Sequence, residues 1–273
     1  SLIPGVDHLS HTLDIEKNAF TRGQPHNGME LADELEELVR LHDATNIAAV
    51  IVEPISGSAG VIVPPKGYLN RLREICDRHG ILLIFDEVIT GFGRTGNAFA
   101  SQTFDVTPDM IVFAKGVTNG TVPMGGVIVK NEIYEAFMTG PDWAIEFYHG
   151  YTYSGHPLAT AAANATLQTY EQEGLFERGK LLSSYFEDAV HSLRGLPNVV
   201  DIRNYGLMCG IQLLPVANKP LERTHNIFEK CFEKNVLVRA AGETIALTPP
   251  LIATKKDIDL IVDTLKTAIK HSS

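Results

Sequence analysis

The 273-residue chain predicts an α/β fold, with a mostly parallel sheet carrying helices on both faces and a smaller C-terminal α+β domain. Three features lead there. Helix-like and strand-like segments alternate through the first half. The strand candidates in that half are unbroken apolar runs, as strands buried on both faces are. The second half turns to long helical patterns interleaved with short strands. At 44% hydrophobic residues, the chain has enough apolar surface for two cores.

Residues 1–27 are rich in His, Pro and Gly and read as loop. Leu31, Leu35, Leu38 and Val39 recur at helical spacing between Glu30 and Leu41, with glutamates on the opposite face. Ala48–Val52 reads as a buried strand stopping at Glu53-Pro54. Leu69, Leu72, Ile75 and Cys76 mark a helix from Lys66 to His79, ended by Gly80. Strands are expected over Ile81–Phe85, Met110–Phe113 and Gly126–Val129, with a Gly-rich loop after the first. The Ala-rich stretch Pro157–Gln172 reads as a helix leading into the second half. There, helices are expected near Leu175–Leu193, Leu221–Lys234 and Lys255–Lys270, and strands near Val199–Ile202, Gly210–Leu213, Val236–Arg239 and Thr244–Leu247. The expected organisation is a large domain over 1–155, a connecting helix over 156–174 and a small domain over 175–273.

A net charge of −10 argues against a nucleic-acid groove, which needs clustered Lys and Arg. The longest apolar runs are strand length, so no membrane-spanning segment is expected. Cys76, Cys209 and Cys231 are odd in number and widely spaced, which fits reduced thiols and a cytoplasmic setting.

Two phosphate-binding patterns occur and neither holds up. Gly174-Leu175-Phe176-Glu177-Arg178-Gly179-Lys180 resembles a P-loop, but Leu181 stands where Ser or Thr must bind magnesium, and the stretch lies inside a helical pattern. Gly91-Phe92-Gly93-Arg94-Thr95-Gly96 is a literal GxGxxG after a strand. A dinucleotide site needs a helix to open there, and Asn97–Thr107 has no helical periodicity, so a tight turn is expected.

The chemistry rests on Lys115 and Asp86. Each ends a predicted strand, and α/β sheets bind ligands at the carboxyl ends of their strands. A lysine amine can form a Schiff base with an aldehyde, and a carboxylate can keep a ring nitrogen protonated. If the extended backbone continues past Phe85, Asp86 and Val88 face one side together. Lys115 follows Ile111-Val112-Phe113-Ala114, and an amine in such a partly apolar site deprotonates more readily. Taken singly, each residue has an ordinary reading: a loop-capping acid and a solvated lysine.

Leu83-Ile84-Phe85-Asp86-Glu87-Val88, the Gly91–Gly96 turn, Asp109-Met110 and Ala114-Lys115-Gly116 together resemble the signature of class III pyridoxal-phosphate aminotransferases. The likeness runs from Asp7-His8-Leu9 and Arg22-Gly23-Gln24-Pro25 to Pro249-Pro250-Leu251. Val52-Glu53-Pro54-Ile55, Pro64-Pro65-Lys66-Gly67-Tyr68 and His149-Gly150-Tyr151-Thr152-Tyr153-Ser154 are similar to the ω-amino acid–pyruvate branch of that family.

This resemblance implies a fold-type I transferase, like aspartate aminotransferase, that moves an amino group from an ω-amino acid such as β-alanine, or an amine, to pyruvate. Pyridoxal 5′-phosphate is the cofactor it implies. Lys115 would carry the cofactor and shuttle the proton, Asp86 would pair with the ring nitrogen, and Val88 would pack on the ring. Thr152 matches the threonine that reaches the cofactor phosphate of a neighbouring subunit, which implies a homodimer or higher homo-oligomer with shared sites. Arg239 matches a movable arginine that grips a substrate carboxylate and swings aside for uncharged groups, and Glu53 matches an acid near the substrate. Ile89 replaces a glutamine common among relatives, and Ala246 replaces an arginine, which weighs against ornithine- or γ-aminobutyrate-type recognition. The family also has an N-terminal portion, with a Ser/Gly-rich loop for the cofactor phosphate, that has no counterpart before Gly23. An N-terminally shortened chain with weak cofactor retention and exposed apolar surface is therefore expected. The rivals are another enzyme of the family, of the glutamate-1-semialdehyde aminomutase or racemase type, and an inactive fragment.

Overall fold

The computed structural model describes residues 3–143, 147 and 149–272. In chain order it places α1 at Ile15–Asn18, α2 at Glu34–His42, β1 at Ala49–Val52, α3 at Tyr68–His79 and β2 at Leu82–Asp86. Next come α4 at Ala100–Phe104, β3 at Met110–Phe113, β4 at Gly126–Val129, α5 at Asn131–Phe137 and α6 at Pro157–Gln172. The remainder is α7 at Leu175–His191, β5 at Val199–Tyr205, β6 at Met208–Leu213, α8 at Glu222–Phe232, β7 at Arg239–Ala241, β8 at Thr244–Leu247 and α9 at Lys255–Lys270.

Two sheets organise these elements. The first has the order β1-β2-β3-β4, parallel as far as β3 and antiparallel at β4. The second, β5-β6-β8-β7, is antiparallel throughout. The mixed α/β fold with a parallel-rich sheet is as expected, and the short strands of the second half form a separate antiparallel sheet.

The long helices form where apolar spacing demands them. Leu69, Leu72, Ile75 and Cys76 of α3 are buried, and Gly80 ends the helix in the left-handed conformation with its N–H on the Cys76 carbonyl. Their partners include Leu83 and Phe85 of β2, both fully buried. Burying such side chains contributes about 1.5–3 kcal/mol each. A second core gathers α7, α8 and α9 around Ile202, Ile211 and Ile245.

Several expectations need correcting. Helices α1, α4 and α5 span too few turns to leave a periodic trace in the sequence. The strand expected over Val236–Arg239 begins only at Arg239: Asn235 takes a positive φ, Val236 donates back to Cys231 at the end of α8, and Val238 is buried without pairing. Burial on both faces fails at the ends of the first sheet, where Ile51 of β1 is 63% exposed and Val127 of β4 is 55% exposed. Among the described residues, no helix is long and apolar enough to cross a membrane.

Asp109 ties the first sheet to its helix layer. It is buried, and its carboxylate accepts from Arg73 of α3 at 2.7 Å, from the Leu83 N–H of β2 at 2.7 Å and from Lys130, just past β4, at 2.8 Å. Burial alone raises a carboxyl pKa, but these donors outweigh it and hold Asp109 below the ordinary value.

Asp109→Asn should therefore destabilise the fold by about 2 kcal/mol in denaturant unfolding, because Arg73 keeps only Asp77 as a charge partner and Lys130 loses its contact with Asp109. The carboxylate's contribution should be full above its ordinary pKa and fade as pH falls through the lowered one. A pH titration of stability should show that acid-side loss in wild type and a smaller one in the variant.

Candidate active site

Parallel pairing sets Asp86 at the end of β2 opposite Val112 of β3, three residues before Lys115. Both groups thus stand at the carboxyl edge of the first sheet. The second sheet faces this edge, and the cleft between them encloses a cavity of about 740 Å³. Its lining includes Val88, Ile89, Phe92 and Lys115 from the first sheet's loops, Tyr170 from α6, and Met208, Arg239 and Ala246 from the second sheet. That size lies within the range of small-molecule sites.

Lys115 begins a short 3-10 turn over Lys115–Thr118 and has φ +45°, a left-handed conformation that costs a non-glycine residue about 1–2 kcal/mol. Gly116 makes room beside it, since a Cβ there would lie 2.7 Å from the Phe92 Cβ. The side chain of Lys115 is exposed at the cavity rather than held in an apolar site. Its apolar neighbours in sequence belong to a strand, so they pack elsewhere and do not surround the amine.

The extended backbone stops at Asp86. Val88 lies in a turn, and its N–H donates to Asp86 Oδ1 at 3.0 Å, so the two residues do not share a strand face. Val88 nonetheless lines the cavity, with half-buried Asp86 at the strand end behind this turn. Glu53, four residues after the start of β1, faces a neighbouring cavity along that strand. Its carboxyl accepts from the Gly57 N–H at 3.0 Å. Burial raises its pKa most; the Gly57 N–H offsets this, Asp86 adds repulsion and Lys115 attraction. Glu53 therefore senses both charges of the pair.

Arg239 is exposed and stands directly opposite Ala246 in the β7–β8 register, so the small alanine leaves the guanidinium as the cation on this wall. Ile89 lines the cavity and closes on Gly57, where a Cβ would lie 2.8 Å from the Ile89 Cγ2. Thr152 lies in an exposed turn and does not line this cavity.

Two groups escaped the sequence reading. Glu87, next to Asp86, is fully buried and accepts from the Ala100 and Ser101 N–H groups at 2.5 and 2.9 Å and from Thr90 Oγ1 at 3.1 Å. It secures the start of α4, while its burial pushes the pKa up despite those donors. Arg203 of β5 bridges the sheets. Its Nε donates to the Gly60 and Val61 carbonyls at 3.0 and 3.1 Å, and its Nη1 meets Asp201 at 2.8 Å. Gly210 permits this approach, since a Cβ there would lie 2.3 Å from the Gly60 oxygen. No sequence signal marked either residue beyond its type.

The two phosphate-binding look-alikes resolve as expected. Gly91–Gly96 is a tight turn, with the Phe92 N–H on the Ala98 carbonyl, and the five-residue α4 begins only at Ala100. Gly174 precedes α7 and the rest of that motif is helical.

This cleft between a parallel-rich sheet and an antiparallel one, with Lys115 on its wall and Asp86 at the strand end behind it, belongs to a transaminase fold. The chain belongs to the class III aminotransferase family, whose model matches residues 4–269. It is 56% identical over 266 residues to an omega-aminotransferase of Caulobacter vibrioides, covering 97% of this chain and 61% of that protein. It is 51% identical to a beta-alanine–pyruvate aminotransferase of Pseudomonas aeruginosa, covering 97% and 59%. A solved amine transaminase from an uncultivated Pseudomonas species, in its PLP-bound form, superposes with a TM-score of 0.82 at 39% identity, covering 89% of this chain and 57% of that one. The chain thus spans about three fifths of the length of the curated relatives it matches.

The left-handed backbone at Lys115 can be tested without any ligand. Lys115→Gly and Lys115→Ala both remove the amine, but only glycine adopts positive φ freely. The glycine variant should be the more stable by about 1 kcal/mol in chemical denaturation; equal stabilities would mean that residue 115 is not held at positive φ.

Proposed function

We propose that the protein carrying this chain transfers an amino group from an ω-amino acid or amine to pyruvate, yielding alanine, with pyridoxal 5′-phosphate as cofactor. The observation that carries this reading is the Lys115 amine opening into a ligand-sized cavity beside the Asp86 strand end. The described residues fit the cofactor: the cavity offers a free amine for its aldehyde and Val88, Ile89 and Phe92 as apolar wall for its ring. Asp86, at the neighbouring strand end, offers the charge for its ring nitrogen. When bound, pyridoxal phosphate supplies an aldehyde that accepts the amino group and a cationic ring that draws electrons from the substrate carbon.

Lys115 would hold the cofactor and, once displaced by the incoming amine, carry a proton on Nζ to and from the substrate carbon. Asp86, fixed by the Val88 N–H, would keep the ring nitrogen protonated. Arg239 would bind a substrate carboxylate through its planar fork, and its exposure leaves it room to turn outward for an uncharged group. Glu53 would hold negative charge near the amine. Thr152, exposed and away from this cavity, is free to serve the cofactor phosphate of a second copy, so the active form is a homo-oligomer. The names of the relatives support pyruvate as acceptor, and the three buried free cysteines fit a cytoplasmic setting.

The test is alanine formation from pyruvate and β-alanine in the presence of pyridoxal phosphate. Lys115→Ala should lower the rate by roughly a thousandfold or more, and turnover that survives this change would sink the assignment. Arg239→Ala should raise KM for β-alanine by roughly 10- to 100-fold while sparing a donor without a carboxylate. Equal losses on both donors would remove the carboxylate-binding role.

A further inference from the structure

The strained turn at Lys115 is held from outside by a residue on the connecting helix. Its own backbone bonds are long: Val117 N–H to the Ala114 carbonyl at 3.3 Å, Asn119 N–H to Gly116 at 3.2 Å and Gly120 N–H to Lys115 at 3.2 Å. Against these, Tyr170 of α6 donates its hydroxyl to the Gly116 carbonyl at 2.7 Å, across 54 residues of sequence. The Tyr170 ring stacks on Phe92 at 6.2 Å and packs on Phe176 at 4.9 Å, and Phe92 is the ring on which Gly116 rests. Gly116 is thus pressed on one side by an aromatic bed and hooked through its carbonyl by the same cluster.

The hook also reaches the opposite wall of the cavity. Burial raises the Tyr170 pKa, with the charge of Arg94 opposing it, and Arg94 Nη1 donates to the Pro249 carbonyl at 2.5 Å. Pro249 sits between Thr248 and Pro250, both of which line the cavity with Arg94 and Tyr170. Arg94, tied to the segment after β8, and Tyr170, tied to the residue beside Lys115, thus line one cavity.

We propose that Tyr170 is a positioning residue: by holding the Gly116 carbonyl it fixes the direction in which Lys115 enters the cavity, and with it the rate at which the amine meets an aldehyde. A packing role alone needs the ring and not the hydroxyl. The hydroxyl is directed at one carbonyl, one residue from the amine. The proposal rests on the transaminase reading for the use to which Lys115 is put.

Tyr170→Phe removes the hydroxyl and keeps the ring. Tyr185→Phe, which removes a hydroxyl bonded to Asp259 on the second core, is the control. The first measurement is amide hydrogen exchange without cofactor, on peptides covering residues 113–121. Tyr170→Phe should speed exchange there roughly three- to tenfold, the loss expected from one hydrogen bond, with other regions and the control unchanged. The second is the rate at which Lys115 condenses with pyridoxal phosphate, releasing water, followed by the absorbance of the bound cofactor and its pH midpoint. Tyr170→Phe should slow capture several-fold and move the midpoint. Unchanged exchange over 113–121, or faster exchange with unchanged capture and midpoint, overturns the proposal while the wild-type protein still captures cofactor. A wild-type protein that captures none defeats the transaminase reading itself, and the role assigned to Tyr170 with it.

Discussion

The parallel registry of β2 and β3 is the constraint on which the rest of the site depends. Ile84 pairs with Met110, Phe85 with Ile111 and Asp86 with Val112, so an acid and an amine from distant parts of the sequence leave the sheet at one edge. A slip of one residue would turn every side chain of a strand to the other face. Asp109 guards against it: it lies immediately before β3, and its carboxylate holds both the Leu83 N–H of β2 and Arg73 of α3. Chemistry at the strand ends is thus anchored by an ion-paired group at their beginnings.

The second sheet completes what the first begins. Arg203 reaches from β5 to the carbonyls of Gly60 and Val61, and Val61 lines the same cavity as Lys115. Asp201, which pairs with Arg203, also accepts the Phe20 N–H at 2.7 Å, so one buried ion pair binds three distant stretches of chain. Breaking such a pair costs more than the pair contributes, because the survivor is left buried and charged. The cleft is therefore stiff where the sheets meet, while the cations Lys115 and Arg239 remain exposed within it.

Much of this was legible in the sequence, and the failures have physical causes. Helices of three or more turns announce themselves by the spacing of apolar residues, and α6 and α9 fall on the residues expected, Pro157–Gln172 and Lys255–Lys270. Helices of four to seven residues do not, because one face contributes only one or two apolar positions. The turn after Asp86 was missed because Val88 is a strand-forming residue; the hydrogen bond that its N–H donates to the Asp86 carboxylate overrides that preference. Lys115 and Asp86 became distinctive only through the surrounding resemblance, since either residue alone is commonplace. Glu87, Arg203 and Tyr170 act through contacts 13 to more than 100 residues away, which no local pattern encodes.

The ends of the first sheet carry a consequence of another kind. Among the described residues, β1 and β4 each pair on one side only, and both expose branched apolar side chains, Ile51 on one and Val127 and Ile128 on the other. An unpaired backbone flanked by such residues is a template for any extended chain that meets it. Two such borders on one sheet are places where a charged side chain or a covering segment matters most. A charged side chain at Val127, which does not line the cleft, would blunt one of these borders.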